Sequence, residues 1–253
     1  MESTPSWDAA AYEEGSSLQT GEGYQLVREL GEVAGRSVVD IGCGDGRLML
    51  ALEEAGARVL GVDPSSSMVR RARARGLAAV VGRAEALPLA DGAWGMAFSN
   101  AALHWCLDHD VVMRELVRVL APGGELRLRL GGPGNQWGTF VEAERLFNQA
   151  PFAMHRPAGF RAPLRMADPT DWFVGLTEHG MVVNRVAVES VDPRWSDPDA
   201  MARWFSPIAH VYTDLLPRDL RPAFVDEVVG RTWARNPSAR TFVRVAIEAS
   251  KPV

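Results

Sequence analysis

Residues 39 to 46 read Val39-Asp40-Ile41-Gly42-Cys43-Gly44-Asp45-Gly46, and Asp63-Pro64 follows one helix and one strand later. Glycines spaced like this let the backbone turn sharply and approach a ligand with no Cβ in the way, while the helix that follows offers free N–H groups. A carboxylate at the end of the next strand suits a ribose, because it can accept hydrogen bonds from both hydroxyls at once. The third glycine is Gly46, and position 47, where a dinucleotide-binding turn carries glycine, holds Arg47. Taken alone, Asp63 could simply cap a helix with Pro64 in its first turn. The preceding glycine loop favours the ribose.

Such a loop works only where a buried strand ends and a helix begins, and the surrounding pattern supplies both. Leu26 to Val33 has helical apolar spacing, and Ser37 to Ile41 is a short apolar run of the kind found in a buried parallel strand. Helical and strand patterns then alternate. Arg47–Glu54 and Ser65–Arg75 read as helices around a strand at Arg58–Val62. Ala78–Val81 and Trp94–Ser99 read as strands, Asp110–Leu120 as an amphipathic helix, and Glu125–Leu130 as a fifth strand introduced by Ala121-Pro122-Gly123-Gly124. This alternation implies right-handed βαβ crossovers and an α/β, doubly wound, mostly parallel sheet.

The rhythm changes after Gly131-Gly132-Pro133-Gly134. Trp137–Ala150 reads as a helix, Pro151–Pro169 as irregular, Asp171–His179 as a helix stopped by Gly180, and Val182–Val191 as a strand. Residues 192–240 hold short helices divided by prolines and rich in aromatics, and Thr241–Ala249 reads as a closing strand. The expectation is a single domain over residues 1–253. Residues 26–131 form its core around the glycine loop, 182–191 and 241–249 an antiparallel edge pair, and 135–170 with 192–240 a helical cap or lid.

Composition narrows the classes. With 47% hydrophobic and 23% charged residues the chain is globular. No run of 18 uncharged apolar residues occurs, and the start Met1-Glu2-Ser3-Thr4-Pro5 lacks a signal-peptide profile, so a soluble, cytoplasmic protein without membrane attachment is expected. A net charge of -5 argues against nucleic acid as the main partner. Cys43 and Cys106 have neither C-x-x-C nor zinc spacing, so no disulfide and no metal are expected.

The glycine loop and Asp63, together with Ala84-Glu85-Ala86-Leu87-Pro88-Leu89, Phe98-Ser99-Asn100-Ala101-Ala102-Leu103-His104-Trp105 and Arg118-Val119-Leu120-Ala121-Pro122-Gly123-Gly124, resemble the class I S-adenosylmethionine-dependent methyltransferases. In wording the chain is nearest to the branch of trans-aconitate and malonyl-carrier-protein O-methyltransferases, and the likeness runs over about residues 12 to 131. The resemblance implies a seven-stranded Rossmann-like fold and an enzyme that uses S-adenosylmethionine and releases S-adenosylhomocysteine. It further implies that Asp40 supports the loop, that Gly42, Cys43 and Gly44 pass the methionine part, and that Asp63 and Pro64 hold the ribose side. By the same resemblance Met68 or its neighbour is expected to cover the adenine, the Ala84-Glu85 backbone to meet its edge, Asn100 to lie near the sulfonium, and Tyr12 and Gln19 to close over the cofactor. Two positions depart from the family pattern: Arg83 stands where an acidic residue commonly meets the adenine amino group, and Gly95 stands where strand four commonly begins with Asp.

Methyl transfer from a sulfonium is an in-line displacement that mainly needs alignment and exclusion of water. An ionised carboxylate acceptor needs no base. A phenol, amine or carbon acceptor would use one, with His104, His210 and Tyr12 as candidates. His104, Trp105, Arg129 and Tyr212 are expected to line an acceptor pocket, and Arg129, Arg161 and Arg165 are candidate clamps for an acidic small molecule. Each has a plainer alternative: a methionine on a helix is commonly core filler and a lone histidine commonly structural. The rival functions are an NAD-dependent oxidoreductase and a cofactor-binding module without turnover. The protein is expected to act as a monomer or homodimer.

Overall fold

The computed structural model describes residues 17–193, 195–235 and 240–253. In chain order the main elements are α1 (Ser17–Glu29), β1 (Ser37–Ile41), α2 (Arg47–Glu54), β2 (Arg58–Asp63), α3 (Ser66–Ala74), β3 (Ala79–Val81), β4 (Trp94–Asn100), α4 (His109–Val119), β5 (Leu120–Gly131), α5 (Trp137–Phe147), α6 (Pro169–Glu178), β6 (Val182–Val191), α7 (Pro198–Ile208), α8 (His210–Thr213), α9 (Arg221–Trp233) and β7 (Phe242–Ser250). They fall into two compact units. Residues 19–133, 164–189 and 244–253 form an α/β unit, and residues 134–163 and 190–243 belong to a helical unit.

The seven strands lie in the order β3-β2-β1-β4-β5-β7-β6. β1 pairs in parallel with β2 on one side and β4 on the other, so the chain direction across the sheet reverses at β1/β4. An open α/β sheet binds its ligands at such a switch point, outside the carboxyl ends of the strands. β7 runs antiparallel to β5, from Glu125 opposite Ser250 to Gly131 opposite Arg244. The expected closing pair therefore exists, with β7 inside the sheet and β6 at its edge.

Each face of the sheet has its own core. Leu26, Val27 and Leu30 pack with Met49, Leu52, Val69, Met96 and Phe98 on one face, and Leu116, Leu126, Leu128, Trp172, Leu176 and Ile247 pack together on the other. Several boundaries differ from those read in the sequence. α1 lies further toward the N-terminus and stops at Glu29, because Gly31 takes φ +71°, and the buried Val33 sits outside it. α6 starts at Pro169 because the Asp168 carboxylate accepts the Thr170 and Asp171 N–H groups. β5 begins at Leu120, and the Pro122-Gly123-Gly124 segment is absorbed as an irregularity in which Trp94 faces Leu120 and Met96 faces Glu125.

In the helical unit, Phe147 meets Phe160, Tyr212 and Phe224 edge to face at 5.2 to 6.0 Å between centroids. The nearly buried Glu142 accepts from Arg145 and Arg235, and the Arg235 guanidinium also lies 5.8 Å from the Trp137 ring.

Candidate active site

The glycine loop closes onto the end of β2 through its backbone. Gly42 and Cys43 donate their N–H groups to the Val62 carbonyl at 2.7 and 3.2 Å, and Gly44 donates to Asp63 Oδ2 at 2.9 Å. Gly42 and Gly44 have φ of +76° and +56°. At Gly42 a Cβ would come within 2.1 Å of Ala102 Cβ, whereas at Gly44 it would meet nothing within 4 Å. The first glycine is thus demanded by packing, and the second leaves open the side from which a ligand can reach the backbone. Asp45 pins the loop from behind, paired with Arg47 at 3.1 Å and Arg75 at 3.0 Å.

Asp63 is buried, and its other oxygen accepts the Ser65 N–H at 2.8 Å. It does not cap α3: Ser65 does, accepting the Met68 N–H, with Ser66 as the first helical residue. The capping role weighed for Asp63 and Pro64 is therefore filled by the next residue, and the half-buried Pro64 lies outside the helix. Burial pushes the Asp63 carboxyl up, partly offset by the Ser65 and Gly44 N–H groups. Each oxygen holds one N–H and keeps acceptor capacity for a hydroxyl.

Asp40, inside β1, is pushed up to about 8, first by burial and then by the neighbouring Asp63. Its Oδ2 is buried and has no hydrogen-bond partner among the described residues. Cys43 is buried and its thiol is likewise pushed up, mainly by burial, so it packs rather than reacts. Met68 is buried on α3. Ala84 is buried, and Glu85 lies in a tight turn closed by the Arg83/Ala86 bridge, with Arg83 donating to its carboxylate at 3.1 Å. That turn is anchored by Glu115, which accepts the Leu87 N–H, and by Arg118, which donates to the Leu87 and Leu89 carbonyls.

Asn100 ends β4, and Ala101 after it has φ +56°, a conformation that costs a non-glycine residue roughly 1–2 kcal/mol. Ser99 donates to the Ile41 carbonyl at 2.7 Å and so ties the tips of β1 and β4 together. A Cβ at Gly23 would stand 2.5 Å from Leu48 and 3.1 Å from the Asn100 amide nitrogen, so this glycine lets α1 lie close to the end of β4. Tyr12 lies outside the described residues. Gln19 falls in α1, with its side chain outside them.

The candidate bases and clamps fare differently. His104 Nδ1 accepts the Gly131 N–H at 3.2 Å, which leaves its ring proton on Nε2; burial, with the Arg244 and His109 charges, holds it down to about 3. It is a hydrogen-bond donor, and the base reading for it is corrected. Trp105 beside it is half-buried, with ring centroids 5.5 Å apart. Arg129 is buried and pairs with Glu29 and Glu189, each at 3.4 Å, so as an acid clamp it is already occupied by carboxylates of the chain itself. Arg165 pairs with Asp171 at 3.5 Å. Tyr212 is buried in the aromatic cluster of the helical unit and donates its hydroxyl to Glu144 at 3.1 Å, which makes it core rather than pocket lining. His210, also in that unit, donates from Nδ1 to the Pro207 carbonyl at 2.9 Å, and burial lowers its pKa.

The residues that sequence reasoning missed are Gly23, Asp45, Ser65, Ser99 and Ala102. Ser65 had a local signal, a serine three residues before a helical position, but Asp63 and Pro64 competed for the same role. Ser99 and Ala102 act across the sheet, which no local pattern reports.

The fold and the loop define a class, and the comparisons agree with it. Residues 39–128 match the family of the methyltransferase domain. The match covers less than half of the chain. A malonyl-[acyl-carrier protein] O-methyltransferase of Pseudescherichia vulneris is 39% identical over 118 residues, which is 46% of this chain and 47% of that one. A trans-aconitate 2-methyltransferase of Paracidovorax citrulli is 33% identical over 129 residues, 49% and 50% of the two chains. The chain thus spans about half the length of the curated relatives it matches. The solved phosphoethanolamine N-methyltransferase 2 of Haemonchus contortus superposes with a TM-score of 0.66 at 16% identity, over 98% of this chain and 58% of that one, which is a likeness of fold.

The arrangement fits a nucleoside: Asp63 keeps acceptor capacity that suits ribose hydroxyls, and the open side of Gly44 leaves room for a ligand beside the loop. Among the described residues no three His, Cys, Asp or Glu side chains gather as a metal site, and no helix is long and apolar enough to cross a membrane.

Proposed function

We propose that this chain is an S-adenosylmethionine-dependent methyltransferase that O-methylates a small molecule, with an ionised carboxylate as the favoured acceptor. The carrying observation is the glycine loop clamped to Asp63 at the carboxyl end of the sheet, with Gly44 open to a ligand. The bound cofactor supplies a methyl group on an excellent leaving group. The protein's own part is to hold the ribose through Asp63, place the loop backbone, and align the acceptor in a water-poor site.

The acceptor class rests on His104 and on two relatives. A carboxylate attacks without a base, and His104, its proton on Nε2, presents a donor that can orient an acceptor oxygen. The malonyl and trans-aconitate groups in the relatives' names are carboxylic acids. In this reading residues 134–163 and 190–243 serve acceptor recognition. Incubation with methyl-labelled S-adenosylmethionine and a panel of carboxylic acids, phenols and quinones tests the proposal. Label should pass to a carboxylic acid as a base-labile ester. Transfer only to phenols would refute the carboxylate reading, and no transfer to any acceptor would support a binding module without turnover.

A further inference from the structure

β6 is the last strand of the sheet and, among the described residues, pairs only with β7. It is ten residues long, none of them is buried, and Val182 and Val188 are more than half exposed. An exposed strand edge of this length is a template for pairing with another strand, because its outer N–H and C=O groups have no partner in the sheet.

The sequence of this edge is a chemical palindrome. It reads Val183-Asn184-Arg185-Val186-Ala187-Val188-Glu189-Ser190-Val191, with Ala187 at its centre. If two copies pair antiparallel about a two-fold axis through Ala187, residues whose numbers are equally far from 187 face each other. Arg185 then faces Glu189 of the partner subunit, and the partner's Arg185 faces Glu189. Val186 faces Val188, Val183 faces Val191, and Asn184 faces Ser190. Every cross-strand pair joins opposite charges, two apolar groups or two neutral polar groups, which are the pairings that stabilise an antiparallel ladder. A shift of one residue in either direction sets Arg185 against Ser190 or Val188 and loses both charge pairs. Within one chain Arg185 bonds Glu189 at 3.1 Å and Glu248 at 3.4 Å, and Glu189 also pairs with Arg129 at 3.4 Å, so the basic and acidic groups lie at the edge and a paired copy would share them.

We infer that β6 is a self-recognition edge, through which two copies of this chain pair antiparallel about Ala187 and join their sheets into one. The contact is isologous, as closed two-fold dimers require, and it is independent of the methyltransferase reading.

Sedimentation of the full chain over a dilution series, with charge swaps at the two edge residues, tests the inference. The wild type should be a dimer that dissociates on dilution. R185E sets carboxylate against carboxylate at both symmetry-related pairs and should be monomeric, and E189R, which sets guanidinium against guanidinium, should be monomeric for the converse reason. The double variant R185E/E189R restores opposite charges at both positions and should recover the dimer. Ala187→Cys provides a geometric check, because only the residue on the axis faces its own copy: mild oxidation should link this variant into a covalent dimer and leave Ser190→Cys unlinked. A wild type that stays monomeric at high concentration, or a dimer unaffected by either single swap, overturns the inference. Circular dichroism of each variant confirms that a monomer is folded.

Discussion

In the α/β unit the site is placed by backbone register: Asp40 stands between Gly61 and Phe98, Gly42 and Cys43 bond the Val62 carbonyl, and Gly44 bonds Asp63. In the helical unit the corresponding work falls to side chains far apart in sequence: Tyr212 reaches Glu144, Arg235 reaches Glu142, and Phe147 gathers Phe160 and Phe224. Register admits few substitutions, since a strand or loop cannot shift by a fraction of a residue. Side-chain contacts can be lost one at a time. Changes at the loop should therefore abolish the site, whereas changes in the helical unit should cost graded stability.

The largest effect is expected at Gly42. Gly42→Ala combines a left-handed φ with a Cβ pressed on Ala102, and should cost about 2–5 kcal/mol of stability together with all measurable cofactor binding. Gly44→Ala should cost only about 1–2 kcal/mol by chemical denaturation, since open space surrounds its Cβ, yet lose cofactor affinity. Equal stability losses in the two variants would erase the distinction between packing glycine and ligand glycine.

Next comes Asp63→Ala, which removes charge-assisted hydrogen bonds to a ribose and should weaken cofactor binding by about 1.5–3 kcal/mol, with the fold intact. Ser65→Ala is its control: loss of the α3 cap should lower stability by about 1 kcal/mol and leave affinity nearly unchanged. If Asp63→Ala binds cofactor normally and only melts earlier, Asp63 is a structural clamp for the loop.

Asp40 gives the comparison a pH dependence. Its folded pKa of about 8 lies above the ordinary 3.8, so the folded state holds a proton that the unfolded state releases, and stability falls as pH rises toward 8. His104 works in the opposite sense: held down to about 3, it stays neutral in the fold while the unfolded chain protonates below 6.5, so stability is lost as pH falls from 6.5. The two slopes oppose each other below 6.5, leaving the Asp40 slope clearest between 6.5 and 8, at no more than about 1.4 kcal/mol per pH unit. Asp40→Asn should flatten the thermal-melting curve in that window, and an unchanged slope would show that Asp40 is ionised in the fold.

The smallest effect is expected in the helical unit. Tyr212→Phe removes one hydroxyl from Glu144 and should cost about 1 kcal/mol by denaturant unfolding, with cofactor affinity unaltered. A large loss of cofactor affinity there would show that the aromatic cluster takes part in the site.

The same contrast explains what was legible in the sequence. The strands from Ser37 to Asn100 are local apolar runs between turn residues, and Gly42, Gly44 and Asp63 carry a spacing whose chemistry can be named from residue types alone. Arg129 and Tyr212 were misread for a common reason. Their residue types suit a pocket, but their partners, Glu29 and Glu189 for the one and Glu144 for the other, lie 60 or more positions away and leave no local trace. His104 stood at the right edge of the sheet, yet its tautomer is set by the Gly131 N–H, which only the fold brings near.

Isothermal calorimetry of the intact chain tests the central claim most directly. S-adenosylmethionine and S-adenosylhomocysteine should each bind at one site per chain, Asp63→Ala should weaken both, and NAD should neither bind nor compete. Tight NAD binding with no heat from S-adenosylmethionine would contradict the account.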